Sequence, residues 1–240
     1  MDIQSIIHRI TQDLCQVDGV RAIVLGGSRA RGTHHPGSDI DIGIYYDSRE
    51  GLDIKELRRI AAVLDDDGRT DLITEIGGWG PWINGGAGCK SNKFRLTFDR
   101  DIRKVSTEME ECLEGNVTID YQPGHPHGFI NAIYMAEVAL CHVLWDPADI
   151  ITALKSKTSP FPAVYRQAVI GKFLWEAEFS LDIGMKGVAK KDISYVSGCC
   201  FRAVSCLNQV LFAINHQYCM NEKGATALAD AFDIVPPAYA

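Results

Sequence analysis

Residues 24–46 read Val24-Leu25-Gly26-Gly27-Ser28-Arg29-Ala30-Arg31-Gly32-Thr33-His34-His35-Pro36-Gly37-Ser38-Asp39-Ile40-Asp41-Ile42-Gly43-Ile44-Tyr45-Tyr46. The stretch begins inside a β-branched run, residues 20–25, with the pattern of a buried strand. A Gly-Gly-Ser turn then leads into a short helix. Residues 38–46 form a second strand, with Ile40, Ile42 and Ile44 on one face and Asp39, Asp41 and Gly43 on the other, because side chains alternate along a strand. Glycines let a backbone approach phosphate oxygens, and a helix start offers N–H groups with positive dipole character. The Ser28 hydroxyl adds a donor for a terminal phosphate. Two carboxylates on one face can share a divalent ion, and magnesium prefers such oxygen ligands together with substrate phosphates. Gly43 leaves room beside them. Taken singly, a Gly-Gly-Ser turn is an ordinary tight turn and Asp-x-Asp a solvated face; together, on neighbouring strands, they are specific. This is not a Walker loop, because no Gly-Lys-Ser/Thr follows.

Around this stretch the chain continues in regular elements. Ile3, Ile6, Ile7, Ile10 and Leu14 recur at helical spacing, and a second helix is expected over 53–64. Residues 71–76 and 94–98 read as strands, separated by the glycine-rich GGWGPWINGGAGC, whose Trp79 and Trp82 could stack on a base or sugar or serve as core. A helix over 101–113 and an extended piece over 117–121 precede Pro-Gly-His-Pro-His-Gly (residues 123–128), which breaks the chain. From 129 onward the period is helical, with helices expected over 163–190, 194–217 and 222–232. These readings give an α+β protein: a mixed sheet with helices over 1–124, then a helical bundle over 125–240 that binds the substrate. The composition, 46% hydrophobic and 23% charged with net charge −7, argues against nucleic acid as a main partner. No apolar run reads as a membrane span, and the N-terminus lacks the apolar core of a signal peptide. The eight cysteines include no Cys-x-x-Cys pair and read as reduced, in a cytoplasmic protein.

The segment VLGGSRARGTHHPGSDIDIGIYY resembles the signature of the DNA polymerase beta-like nucleotidyltransferase superfamily. It is especially similar to the small kanamycin- and lincosamide-type adenylyltransferases and to minimal nucleotidyltransferases. The resemblance implies a palm-like mixed sheet and transfer of a nucleotide, AMP from ATP in the first instance, to a hydroxyl of a small molecule. Two Mg2+ ions bridge the triphosphate and pyrophosphate leaves. An aminoglycoside- or lincosamide-like antibiotic lying between the domains would suit the acidic balance. Asp39 and Asp41 are then metal ligands, and Gly27, Ser28, Arg31, Ser38 and Lys223 the nucleotide contacts. Lys223 has a rival reading, in the first turn of a helix capped by Asn221. The superfamily's third carboxylate is expected where Thr97 stands; Asp99, two residues on, is the substitute, with Asp71 and Glu75 as alternatives. Related enzymes take their general base from the second domain. Here Glu176, among Phe173, Leu174 and Trp175, fits that role or a structural ion pair with Lys172. His125 and His127 could be metal ligands or simply part of the connecting loop. Related small enzymes also suggest a homodimer. Two rivals stay open: a toxin–antitoxin type of transferase acting on a protein or RNA partner, and a nucleotide-binding pseudoenzyme lacking the third acid. The rear half has no Arg-x(4–6)-His motif, which disfavours a ribonuclease.

Overall fold

The computed structural model describes residues 3–65, 67–80, 82, 85–89 and 94–240; the side chains of residues 87–89, 94, 98 and 99 lie outside that description. In chain order come α1 (Ile3–Leu14), β1 (Val20–Leu25), α2 (Gly27–Ala30), β2 (Ile40–Tyr46), α3 (Ile54–Leu64), β3 (Gly86–Cys89), β4 (Phe94–Asp101) and α4 (Ile102–Glu114). They continue with β5 (Ile119–Asp120), β6 (Phe129–Ile130), α5 (Ala132–Leu140), β7 (His142–Trp145), α6 (Ile150–Ser156), α7 (Ala163–Ala189), α8 (Ile193–Ile214) and α9 (Ala225–Asp230). The fold is a mixed α+β one, with an N-terminal mixed sheet and helices followed in sequence by the helices α7, α8 and α9, as expected. The chain forms two compact units: residues 1–107 with 137–157, and residues 108–136 with 158–240.

The first unit is built on a sheet of order β3-β4-β2-β1-β7. β2 runs antiparallel to β1 and parallel to β4, while β3 and β7 pair antiparallel at the edges. The alternation in β2 has the expected consequence: Ile40, Ile42 and Ile44 are buried against Ile7, Ile10 and Leu14 of α1 and Leu57 and Ile60 of α3. α1 and α3 each present one apolar stripe to the sheet. The Asp53 carboxylate caps α3, accepting the backbone N–H groups of Lys55 and Glu56 at 3.0 Å.

Two expectations are corrected here. Residues 71–76 form no strand; Ile73 is buried, but its neighbours follow an irregular path. The second edge strand is instead β3, drawn from the glycine-rich segment, where Gly86 packs so closely on the Trp79 ring that a Cβ would lie 2.8 Å from it. Residues 142–145, inside the part read as helical, are β7 on the open edge of β1, with Leu25 opposite His142. Four residues are too short to show a period, and the pairing that makes them a strand lies more than 100 positions away in sequence. Each compact unit draws on two stretches of the sequence.

In the second unit α7 packs along α8, burying Val169, Phe173, Ala177, Cys199, Ala203 and Cys206. α9 closes on α8 through Leu211, Phe212, Ala225 and Ala229, with Phe212 and Phe232 edge to face at 4.8 Å between centroids. Gly224, in the left-handed region, precedes α9 as its cap, in place of the expected Asn221. α8 is long and apolar enough to cross a membrane by length and composition alone, contrary to the sequence reading. Half of that apolar stretch is buried within the protein, which is ordinary for a core helix.

Candidate nucleotide site

Gly27, Asp41, Gly43 and Thr97 meet where β1, β2 and β4 run side by side. Val24 stands opposite Gly43 on one side, and Thr97 opposite Gly43 on the other. The Gly26 N–H donates to the Asp41 carbonyl at 2.8 Å, which ties the turn after β1 to the start of β2. Gly27 then adopts φ +62°, and a Cβ there would lie 1.9 Å from Asp41 Oδ2. The position is glycine for two independent reasons: the left-handed backbone, and the carboxylate lying against its Cα. The turn and the Asp-x-Asp pair are thus one structure, as the motif implied. Asp39 precedes the first β2 residue and is close enough to Asp41 to repel its charge.

The two arginines of the turn divide their work. Arg29 donates from Nε to the Asp39 carbonyl at 3.0 Å and from its terminal nitrogen to the Ser38 carbonyl at 2.7 Å. It braces the approach to β2. Arg31 keeps a buried Nε with no hydrogen-bond partner among the described residues, and its charge acts on Asp41. Ser38 is used locally: its hydroxyl accepts the His35 N–H at 3.0 Å, while His35 Nδ1 accepts from the Gly37 N–H. Ser28 lies in the first turn of α2, where N–H groups have no partner within the helix.

Arg95 is the residue that the motif did not reveal. It sits opposite Asp41 in the parallel register, with its Nε 3.6 Å from Asp39 Oδ2. Alternation along residues 94–98 was the available signal, since it puts Arg95 and Thr97 on one face. The two side chains are 65% and 46% exposed, so the pair contributes little to stability and its arginine can turn to another anion. Burial raises the Asp41 pKa above the usual carboxylate value; Arg95 opposes the rise and Asp39 adds to it. Two hard oxygen donors on one face, one of them raised by burial and by its neighbour's charge, fit a divalent cation that would relieve both effects.

The third-acid position is Thr97, whose hydroxyl donates to the Ile42 carbonyl at 3.3 Å. The Asp99 side chain lies outside the described residues. Its backbone falls where β4 slips by one position against β2, so that Arg100 rather than residue 99 stands opposite Tyr45. Of the alternatives, Glu75 is ion-paired with Arg58 of α3 and Asp71 is exposed, with no strand to align them. Trp79 covers Gly86, and Trp82 carries the Lys104 ammonium 4.1 Å from its ring centroid.

The remaining candidates belong to the second unit. Glu176 of α7 pairs with Arg202 of α8, not with Lys172. Lys223 is exposed just before α9, and its neighbour Glu222 accepts the His127 N–H at 3.0 Å. His127 itself is buried, 4% exposed. All seven described cysteines are free thiols.

Residues 7–79, which hold β1, the turn and β2, match the family described as nucleotidyltransferase domain. Among solved structures, a nucleotidyltransferase-like protein from Exiguobacterium sibiricum 255-15 aligns with a TM-score of 0.42 at 10% identity. That alignment covers 96% of this chain and 62% of the other, so this chain spans less than two thirds of that protein. No curated protein matches the chain. Over residues 7–79, the chain is therefore similar to the nucleotidyltransferase domain family.

Proposed function

We propose that the protein transfers AMP from ATP to a hydroxyl of a small-molecule acceptor, with Asp39 and Asp41 holding magnesium at the triphosphate. The observation that carries this is the Asp41 carboxylate seated against Gly27, which joins the metal-binding face to the phosphate-binding turn. Magnesium, when bound, supplies charge neutralisation on the phosphates. The chain's own residues position the nucleotide. Gly27 admits the phosphates close to the backbone, Ser28 donates to a terminal oxygen, and Arg31 offers its unpaired Nε. Arg95, released from Asp39, adds positive charge on the same face. Catalysis of this kind works by positioning and preorganised charge.

Glu176 is not retained as the proton acceptor, because its carboxylate is bonded to Arg202 within the helical unit. Asp99 stays in the proposal as the third acid, on its position in β4 alone. An aminoglycoside- or lincosamide-like acceptor suits the net charge of −7. Labelled AMP incorporation, screened over cationic antibiotics and a cell extract, tests the reading. Label on a small molecule supports it. Label on protein or RNA would favour the toxin–antitoxin type, and tight ATP binding without any acceptor would favour a pseudoenzyme.

We further propose a homodimer. α7 exposes Leu174, Trp175, Phe179, Leu181, Met185 and Val188, with the Trp175 and Phe179 rings stacked at 5.2 Å. Several large apolar side chains exposed along one helix are a feature of partner-binding surfaces.

A further inference from the structure

We infer that His127, Glu176 and Cys206 form a binding site for a zinc-class divalent cation, separate from the Asp39–Asp41 site and independent of the nucleotide reading. His127 comes from the loop before β6, Glu176 from α7 and Cys206 from α8. One ligand atom from each lies within 4.8 Å of the other two. The His127 Nε2 to Cys206 Sγ separation is 3.4 Å. Two ligands of one tetrahedral zinc, with bonds of about 2.0 and 2.3 Å, sit roughly 3.5 Å apart, so this pair is already spaced for a shared ion.

Donor chemistry selects the ion. A thiolate, an imidazole and one carboxylate suit zinc or cobalt, whereas magnesium takes oxygen ligands. The surroundings support a charged ligand set. Arg202, one helical turn before Cys206, is ion-paired with one oxygen of the Glu176 carboxylate, and the Cys206 thiol also hydrogen-bonds to that carboxylate, so an ion would replace the thiol proton between them. The Phe173 ring lies 6.0 Å from the His127 ring and limits its movement. A hydrogen bond between thiol and imidazole alone does not complete the cluster, because His127 Nδ1 stays buried and without a partner among the described residues. His127 and Arg202 also line a crevice of about 450 Å³, together with residues 119–126 and Gly128. The crevice meets the cluster at His127, the side from which a fourth ligand would enter. Binding would release the Cys206 thiol proton to solvent.

The test is a cobalt and zinc titration of the full-length protein after chelator treatment. The expected result is one Co2+ per chain with a near-ultraviolet thiolate-to-cobalt band that zinc removes. Cys206→Ser should lose that band. His127→Gln should weaken zinc binding by at least about tenfold. Asp39→Asn with Asp41→Asn should keep the band, which separates this site from the nucleotide site. X-ray absorption on the zinc-loaded wild type gives a readout that needs no variant: one sulfur at about 2.3 Å among nitrogen and oxygen ligands. A wild type without the band, a band that survives Cys206→Ser, or a zinc shell without sulfur or with several sulfurs would overturn the assignment.

Discussion

Asp41 carries more of the account than any other side chain, and its position makes opposed demands. Its carboxyl is half-buried against Gly27, and burial raises its pKa ahead of the opposing effect of Arg95. A raised folded-state pKa means that the folded protein holds this proton more tightly than the unfolded chain. The resulting stability is full below the ordinary carboxylate pKa and is lost as pH rises through the raised value. Asp41→Asn should therefore raise the Tm of the cation-free protein at neutral pH and leave it nearly unchanged near about pH 4; thermal melts at both pH values check this. Magnesium affinity should fall as pH drops through the same interval, because ligation needs the charged form. Gly27→Ala meets both the positive φ and the 1.9 Å approach of Asp41 Oδ2. It should cost about 1–3 kcal/mol in chemical denaturation and disturb nucleotide binding as well. That Gly27 and Asp41 would come together was legible in sequence because the turn and the alternating strand lie within 15 residues. Arg31 was legible as one of two arginines, but only the carbonyls of Ser38 and Asp39 show which of them is occupied.

At the scale of the element, the short-range signals held. α1, α3, α7 and α8 follow their apolar spacing to within a few residues, and β1 and β2 their alternation. What sequence could not show were pairings set elsewhere in the chain. β7 depends on the free edge of β1, and the slip in β4 depends on its register with β2, which no local pattern records. The same slip undercuts the spacing argument for Asp99, because two residues along a strand share a face only where the ladder is regular. Ile42 is fully buried at the centre of the sheet. Ile42→Ala should destabilise by about 2–5 kcal/mol, read from the denaturation midpoint. Asp53→Ala removes the cap of α3 and should cost about 1 kcal/mol, with little effect on nucleotide binding.

The molecule comprises a sheet-based unit that carries the proposed nucleotide site and a helical unit with its own polar cluster. Composition alone indicated an ordinary globular protein. It did not show that α7 would keep large apolar side chains on its outer side, because a long apolar helix reads as core wherever it falls. If that side is the dimer interface, Trp175→Glu should convert a dimer to monomer in light scattering without lowering magnesium-dependent ATP binding by the single chain. The central claim is that Gly27, Asp39 and Asp41 form one site for a metal-bound nucleoside triphosphate. Calorimetric titration of ATP with magnesium into wild type and into the Asp39→Asn, Asp41→Asn double variant tests it most directly. Saturable, magnesium-dependent binding is expected for the wild type, weakened by at least about 100-fold in the double variant. Equal ATP affinity in the two proteins, or wild-type binding indifferent to magnesium, would contradict it.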